Sequence, residues 1–469
     1  MKQKRLVFLL AIFLTSSFLL IENHDSFMGQ DNQLSDRETD LNTYESNYRG
    51  SYTALNYFNI TNSFLIINDS DFISQATANF WNGSGTQNDP YEIVGYNITN
   101  NSFPLIEIRD TSLYFTIANN YLNGIDNSTE GIILSNASNG NILRNIIINN
   151  TYGIEISSSD NTTIIDNSIY DNWKHGIFLY NSNHTIITGN LIYNNGGNPV
   201  GDGIYGDPSN YNIIFNNIIY SNSLSGIFFN SSVFNVISFN NLSYNHLHGI
   251  NLYNSSYNTI SDNQVHGNGG NPVGDGIYGD PSNHNVIIRN HIFNNSLNGI
   301  YLYDSSNNSI YSNKIEENGW YGINLSINSI DNRISLNDFI NNTLDYGLSN
   351  ITQAKDNGVN NIFHYNYWEP HNLSDSDNDG ITDNEYSLNG TASNKDQHPK
   401  SSAFPDLVTT SVVTSTISVT TSIPSITTLT IPTTTTSTTS VSGWIAIFLI
   451  PSFLTLVLLS KKRSSRKNH

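Results

Sequence analysis

The sequence predicts an all-β chain wound as a solenoid of roughly twelve coils, followed by one transmembrane helix at the C-terminus. Three observations carry that prediction. A Gly-Ile pair recurs at Gly131, Gly153, Gly176, Gly203, Gly226, Gly249, Gly276, Gly299 and Gly322, with Gly347-Leu348 as a degenerate successor, at spacings of 22 to 27 residues. Asparagine fills 76 of 469 positions although only 12% of residues are charged, so the polarity of the chain is uncharged. At the C-terminus a Thr/Ser-rich tract leads into an apolar segment with a basic tail.

The repeat comes first, because it sets the register. One residue after each glycine lies Ile132, Ile154, Ile177, Ile204, Ile227, Ile250, Ile277, Ile300 or Ile323, and eleven residues after it a second isoleucine column runs from Ile142 to Ile310. Sixteen residues on, every residue from Ile147 to Ile315 is Ile, Leu or Val. Three apolar stripes with period-2 alternation, separated by Asn/Ser/Gly turns, describe short strands joined at bends. Coils of this length fit a right-handed parallel β-helix, with neighbouring coils about 4.8 Å apart and the whole stack about 55–60 Å long. Fourteen residues after the glycine stand Asn145, Asn167, Asn190, Asn217, Asn240, Asn263, Asn290 and Asn313. An asparagine tolerates the left-handed conformation of a sharp bend, and its amide can bond the equivalent amide one coil away, so this column reads as a structural ladder.

The ends read as membrane elements. Lys2, Lys4 and Arg5 precede an apolar run from Leu6 to Ile21, a secretory signal or uncleaved anchor over residues 1–25, with a linker over 26–55. The coils occupy 56–365 and a cap 366–400; a Thr/Ser-rich stalk, open to O-linked sugar, fills 401–442. A transmembrane helix follows over 443–460 and a basic cytoplasmic tail over 461–469, an orientation that places the coils outside the cell. The terminal flanks hold 8 of the 19 basic residues, leaving 11 against 39 acidic ones between them. A surface near −28 suits cations and neutral sugars and repels nucleic acid. Without cysteine, disulfide stapling is excluded.

Two edge motifs carry a family resemblance over about residues 56–400. GSGTQNDPYEI runs from Gly83 to Ile93 at the front; Asn366-Tyr367-Trp368, DSDNDGITDNEY from Asp375 and DQHP from Asp396 stand at the back. Together with the repeat they resemble the NosD-type β-helix family of archaeal surface proteins, named for a periplasmic copper-binding protein. The resemblance implies a β-helix outside the membrane, sometimes linked to copper and sometimes acting on or holding polysaccharide. The C-terminal segment also resembles archaeal sorting signals whose span is exchanged for a lipid. With no Cys and 2 Met, soft copper ligands are missing, which argues against a copper-binding accessory protein.

Chemistry-bearing residues fall in two places. Asp375, Asp377, Asp379, the Ile381 carbonyl, Asp383 and Glu385 alternate around Gly380, an arrangement suited to structural calcium, although Tyr386 stands where a helix–loop–helix calcium site would carry a bidentate Glu. An acidic solvated loop is the bland alternative. The second place is an insertion: GGNPVGDGIYGDPSN occurs identically at Gly196–Asn210 and Gly269–Asn283, 73 residues or three coils apart. Asp202, Asp207, Asp275 and Asp280 lie there, and the equivalent turns of other coils carry Lys174, His175, His246, His248, Trp320 and Tyr321. Aromatics among polar groups suit stacking on sugar rings, and serve equally well as plain coil-edge caps. Copies of one Asp lie about 14 Å apart, beyond the roughly 5–9.5 Å of a glycosidase pair. No accompanying Asp cluster marks Arg109, Arg144, Arg289 or Arg333 as a lyase base.

About twenty Asn-x-Ser/Thr sites, Asn82 and Asn324 among them, could carry glycans. The expected function is a non-catalytic, membrane-anchored cell-surface β-helix that binds carbohydrate or serves as a structural or adhesive element. An extracellular polysaccharide lyase or glycoside hydrolase is the alternative.

Overall fold

The computed structural model describes residues 57–197, 200–270, 273–342, 352–369 and 374–403. The N-terminal signal or anchor, the 26–55 linker, the stalk beyond residue 403, the C-terminal span and its basic tail all lie outside the described residues. Among the described residues no helix is long and apolar enough to cross a membrane.

Within them the chain is an all-β, right-handed parallel solenoid. One coil shows the plan: a strand at Ile204–Asp207, a bend, a strand at Ile213–Phe215, a second bend, and a strand at Ile218–Tyr220 before Gly226 begins the next turn. Each strand pairs in parallel with its equivalents one coil above and below, so three sheets climb together. Sheet I has 13 strands from Phe58–Ile60 to Tyr367–Glu369, and sheet II has 12 from Phe64–Ile66 to Ala354–Asp356. Sheet III has 14, starting at Tyr91–Val94 and closing on the antiparallel pair Tyr386–Ser387 and Lys395–Asp396. The Gly-Ile pair opens each sheet II strand of the repeats, and the isoleucine columns all point inward with at most 1% exposure. Each such isoleucine contributes on the order of 1.5–3 kcal/mol by burial.

Polar ladders line the bends. Each ladder Asn accepts, through Oδ1, both the backbone N–H and the side-chain Nδ2–H of the Asn one coil earlier; Asn217 and Asn240 do so at 3.0 Å each. Every Nδ2 also reaches a backbone carbonyl, as Asn240 does to Ile214 and Ser238. The ladder extends past the expected members, from Asn120 through Asn337 and Asn366, and finishes on the Asp396 carboxylate. One expectation is corrected here: the left-handed residue is the one before the ladder Asn. Arg144, Asp166, Asn216, Phe239, Asp262, Arg289 and Ser312 carry φ between 52° and 58°. The ladder amide itself turns inward, where its role is to satisfy buried backbone groups. A second Asn ladder runs from Asn150 to Asn342, ending on Gln353, and a third from Asn212 to Asn361; serines from Ser159 to Ser329 form a fourth.

Both ends of the core are closed. At the front, α1 (Asp69–Ala78) starts at Asn68, whose side chain accepts the Asp71 N–H, and buries Phe72 and Ala76. Phe72 meets Trp81, Tyr91 and Phe115 at ring distances of 5.2–6.1 Å and seals the first coils. At the back, Phe339, Trp368 and Tyr386 stack at 4.4 Å intervals, and Trp368 Nε1 donates to Asp396 Oδ2 at 3.1 Å. The Asn-Tyr-Trp and Asp-Gln-His-Pro motifs thus interlock as one plug.

Candidate functional site

Outward positions of sheet II carry a cluster of aromatic and acidic side chains. Two and four residues after the glycines of the duplicated block the chain faces outward, which places Tyr205 and Asp207 in one coil and Tyr278 and Asp280 three coils later. In both copies the phenol donates to its own strand's carboxylate, Tyr205 Oη to Asp207 at 3.3 Å and Tyr278 Oη to Asp280 at 3.1 Å. Each Asp stands in register with an exposed tyrosine of the coil before it: Tyr180 beside Asp207, Tyr253 beside Asp280, both 48% exposed. Desolvation raises the pKa of Asp280, and that of both phenols, whose carboxylate neighbours add to the shift.

Behind each tyrosine lies a histidine in parallel stack, His175 on Tyr205 and His248 on Tyr278, both at 4.7 Å. These histidines accept the backbone N–H of Asp202 and Asp275 at Nδ1 (3.0 and 3.1 Å), while the carboxylates of the same aspartates lie 3.3 and 3.4 Å from that nitrogen. In the second copy the contact between these two acceptors is relieved when the Asp275 carboxyl holds a proton. Burial lifts Asp275 to about 6 and lowers His248 to about 4, so the pair is neutral between those values.

The expected site residues therefore separate. Asp202 and Asp275 are only 1% and 2% exposed and bond Ser225 and Asn298 of the next coil, so their carboxylates serve the coil-to-coil scaffold instead of meeting a glycan. His175 and His248 stand behind the aromatic surface. Asp207 and Asp280 are on it. Lys174 donates to Tyr152 Oη at 3.2 Å and lies 4.8 Å over its ring. His246 is exposed beneath the second inserted loop, where Gly270 leaves room for its ring; Trp173 fills the same place beneath Gly197 of the first. Gly197 and Val200, like Gly270 and Val273, pair antiparallel at the base of each inserted loop. Trp320 and Tyr321 lie further up the rod, half-buried, and Tyr321 Oη accepts from Asn389 of the C-terminal cap. Sequence reasoning missed Tyr180, Tyr205, Tyr253 and Tyr278, although the same two-and-four offset from the glycine identifies them. Of the Asn-x-Ser/Thr sites, Asn82 is exposed and Asn324 is 7% exposed, too buried to carry a glycan.

The acidic loop also divides. Ligand atoms of Asp375, Asp377 and Asp379 lie within 4.8 Å of one another, shaped by the Asp379 and Gly380 N–H groups donating to Asp375. Asp383 turns to Ser376 and Ser374, whose hydrogen bonds hold its carboxyl below the usual range, and Glu385 pairs with Lys395 at 2.7 Å. Those two carboxylates are not brought to the cluster, because the final antiparallel pair presents Lys395 to one and the serines enclose the other. Ile381 pairs antiparallel with Lys400 at the edge of the loop.

Two family models match the chain. One, described as right handed beta helix region, covers residues 78–232, and the other, periplasmic copper-binding protein (NosD), covers 198–356. The chain carries the β-helix repeat. The copper in the second description finds no fit. Among the described residues the one converging set of three donors is that of Asp375, Asp377 and Asp379, hard oxygens throughout, and the chain has no Cys. No curated protein matches the sequence. Among solved β-helices, the A-module of the Azotobacter vinelandii mannuronan C-5 epimerase AlgE4 is 16% identical, covering 67% of this chain and 98% of its own, with a TM-score of 0.46. The periplasmic alginate epimerase AlgG is 18% identical, covering 60% and 84%, at 0.40, and the Dettilon tailspike protein 15% identical, covering 58% and 60%, at 0.43. At such identities the likeness is one of fold alone.

Proposed function

We propose that this β-helix is a non-catalytic, membrane-tethered cell-surface protein that binds carbohydrate on the outer face of sheet II. The observation that carries the reading is the exposed tyrosine beside a tyrosine-bonded carboxylate, Tyr180 with Asp207 and again Tyr253 with Asp280. An exposed phenol ring supplies an apolar face for the C–H side of a pyranose, and a carboxylate with open lone pairs accepts sugar hydroxyls. The duplicated carboxylates Asp207 and Asp280 lie three coils or about 14 Å apart, beyond glycosidase spacing, and Asp304, which neighbours Asp280, is replaced by Ser231 beside Asp207. We further propose that Asp375, Asp377 and Asp379 hold calcium at the C-terminal cap in a structural role. The terminal apolar segments supply the tether, with the C-terminal one spanning the membrane and the coils outside.

A soluble form of residues 57–403 displayed against a panel of polysaccharides tests the reading. Retention without turnover, lost in Tyr180→Ala/Tyr253→Ala, is the expected result. Release of unsaturated or reducing ends would make the protein an enzyme and overturn the non-catalytic reading.

A further inference from the structure

The two Tyr–Asp sites are built from one block of sequence repeated after 73 residues, and their central contacts correspond, although Phe178 beside Tyr205 is replaced by Asn251 beside Tyr278. Asp280 bonds Tyr278 as Asp207 bonds Tyr205; His248 stacks on Tyr278 as His175 stacks on Tyr205; Tyr253 flanks one as Tyr180 flanks the other. Because every strand of sheet II pairs in parallel and in unbroken register from Ile177 to Ile277, both sites occupy the same columns and point the same way. They are related by a shift of three coils along the solenoid, about 14 Å, with no inversion. Only a ligand that repeats in one sense along its length satisfies both at once.

The surface between them decides the charge of that ligand. The outward positions of the two intervening strands are Phe228 and Asn230, then Asn251 and Tyr253, all uncharged. Phe228 abuts Tyr205 edge-on at 5.0 Å, so the floor continues from the first site. At either end stands a carboxylate, and Lys174, the cation nearest in the coil order, is committed to Tyr152. A polyanion would meet two uncompensated aspartates there, whereas a neutral chain brings hydroxyls to both.

We propose that the duplicated sites are equivalent subsites that grip one extended, uncharged glycan chain lying along the solenoid. This rests on the carbohydrate-binding reading above and names its ligand class and stoichiometry. Linking two contacts through one ligand makes the second contact intramolecular, so a chain long enough to bridge both sites gains affinity with no new kind of contact.

Titration calorimetry on the 57–403 rod with linear glucose and mannose oligosaccharides of increasing length tests this, with polygalacturonate as the anionic counterpart. Short oligosaccharides should bind two per rod, and long ones one per rod with affinity raised by about 10²-fold or more. Tyr180→Ala and Tyr253→Ala alter exposed residues and should each leave one short-chain site while abolishing the long-chain gain; unchanged melting temperatures confirm that both variants fold. Affinity and stoichiometry independent of length would overturn the two-site inference while leaving carbohydrate binding intact, as would a preference for polygalacturonate. Absence of binding to every glycan would remove the functional reading beneath it.

Discussion

At the residue scale the His248–Asp275 pair makes a prediction about pH. His248 titrates near 4 in the fold against an ordinary 6.5, so the unfolded chain binds more protons between those values and this group raises stability as pH rises across them. Asp275 is shifted the other way, from 3.8 to about 6, so the folded state holds the extra proton and stability falls over nearly the same window. The two slopes oppose and largely cancel. Asp275→Asn removes the falling slope and keeps the side chain's size, so its urea midpoint should climb between pH 4 and 6.5 where the parent stays nearly level. Equal slopes in the two proteins would show that the pair does not share a proton. Neither shift was legible in the sequence, which places both residues in turns but says nothing of how the next coil covers them. The first ladder was legible because one residue type recurs at one offset. The second, nineteen residues after the glycine at Asn172, Asn195 and Asn222, carries the same kind of signal and is equally open to a register reading.

At the scale of elements, the two ends of the solenoid show where sequence reading stops. Periodicity detects coils, and a cap is the place where periodicity fails. The ten-residue α1 has only Phe72 and Ala76 to bury and no repeat to announce it. At the other end Asp396 explains itself only in the fold: it accepts from Asn366 as a ladder Asn would, but no further coil demands a donor, so a carboxylate suffices. Trp368 joins that carboxylate to the Phe339 and Tyr386 rings. Trp368→Ala should therefore cost about 3–5 kcal/mol locally. Because a solenoid's coils contact only their neighbours, the loss should appear as early proteolysis within residues 374–403 while the middle coils stay protected. Calcium belongs to the same element. Chelation by EDTA should lower the melting temperature of the cap, and Asp377→Asn should abolish that response; a melt indifferent to EDTA would remove the cation.

For the whole molecule, the governing fact is that stability is nearly a sum over coils and their interfaces. The fold class and the register of the core were readable from the chain because each coil restates the same three apolar offsets. What the outer face binds was not, since outward residues vary from coil to coil and acquire meaning only beside their neighbours. Inward positions vary too: the missing side chain of Gly206 admits Phe229 of the next coil, where an added Cβ would lie 2.5 Å from the ring, whereas Gly279 faces the smaller Leu302 at 3.1 Å. The repeated block crosses such differences with its ladders unbroken, so its ends are interchangeable with those of any whole coil. Inserting a third copy of residues 204–276 after Gly276 should thus give a longer rod that melts no lower, with a third tyrosine–carboxylate station on the same face. Length in this protein is then a heritable variable separate from foldability: recombination within the gene can lengthen or shorten the reach of the molecule in steps of three coils, without having to discover a new structure each time.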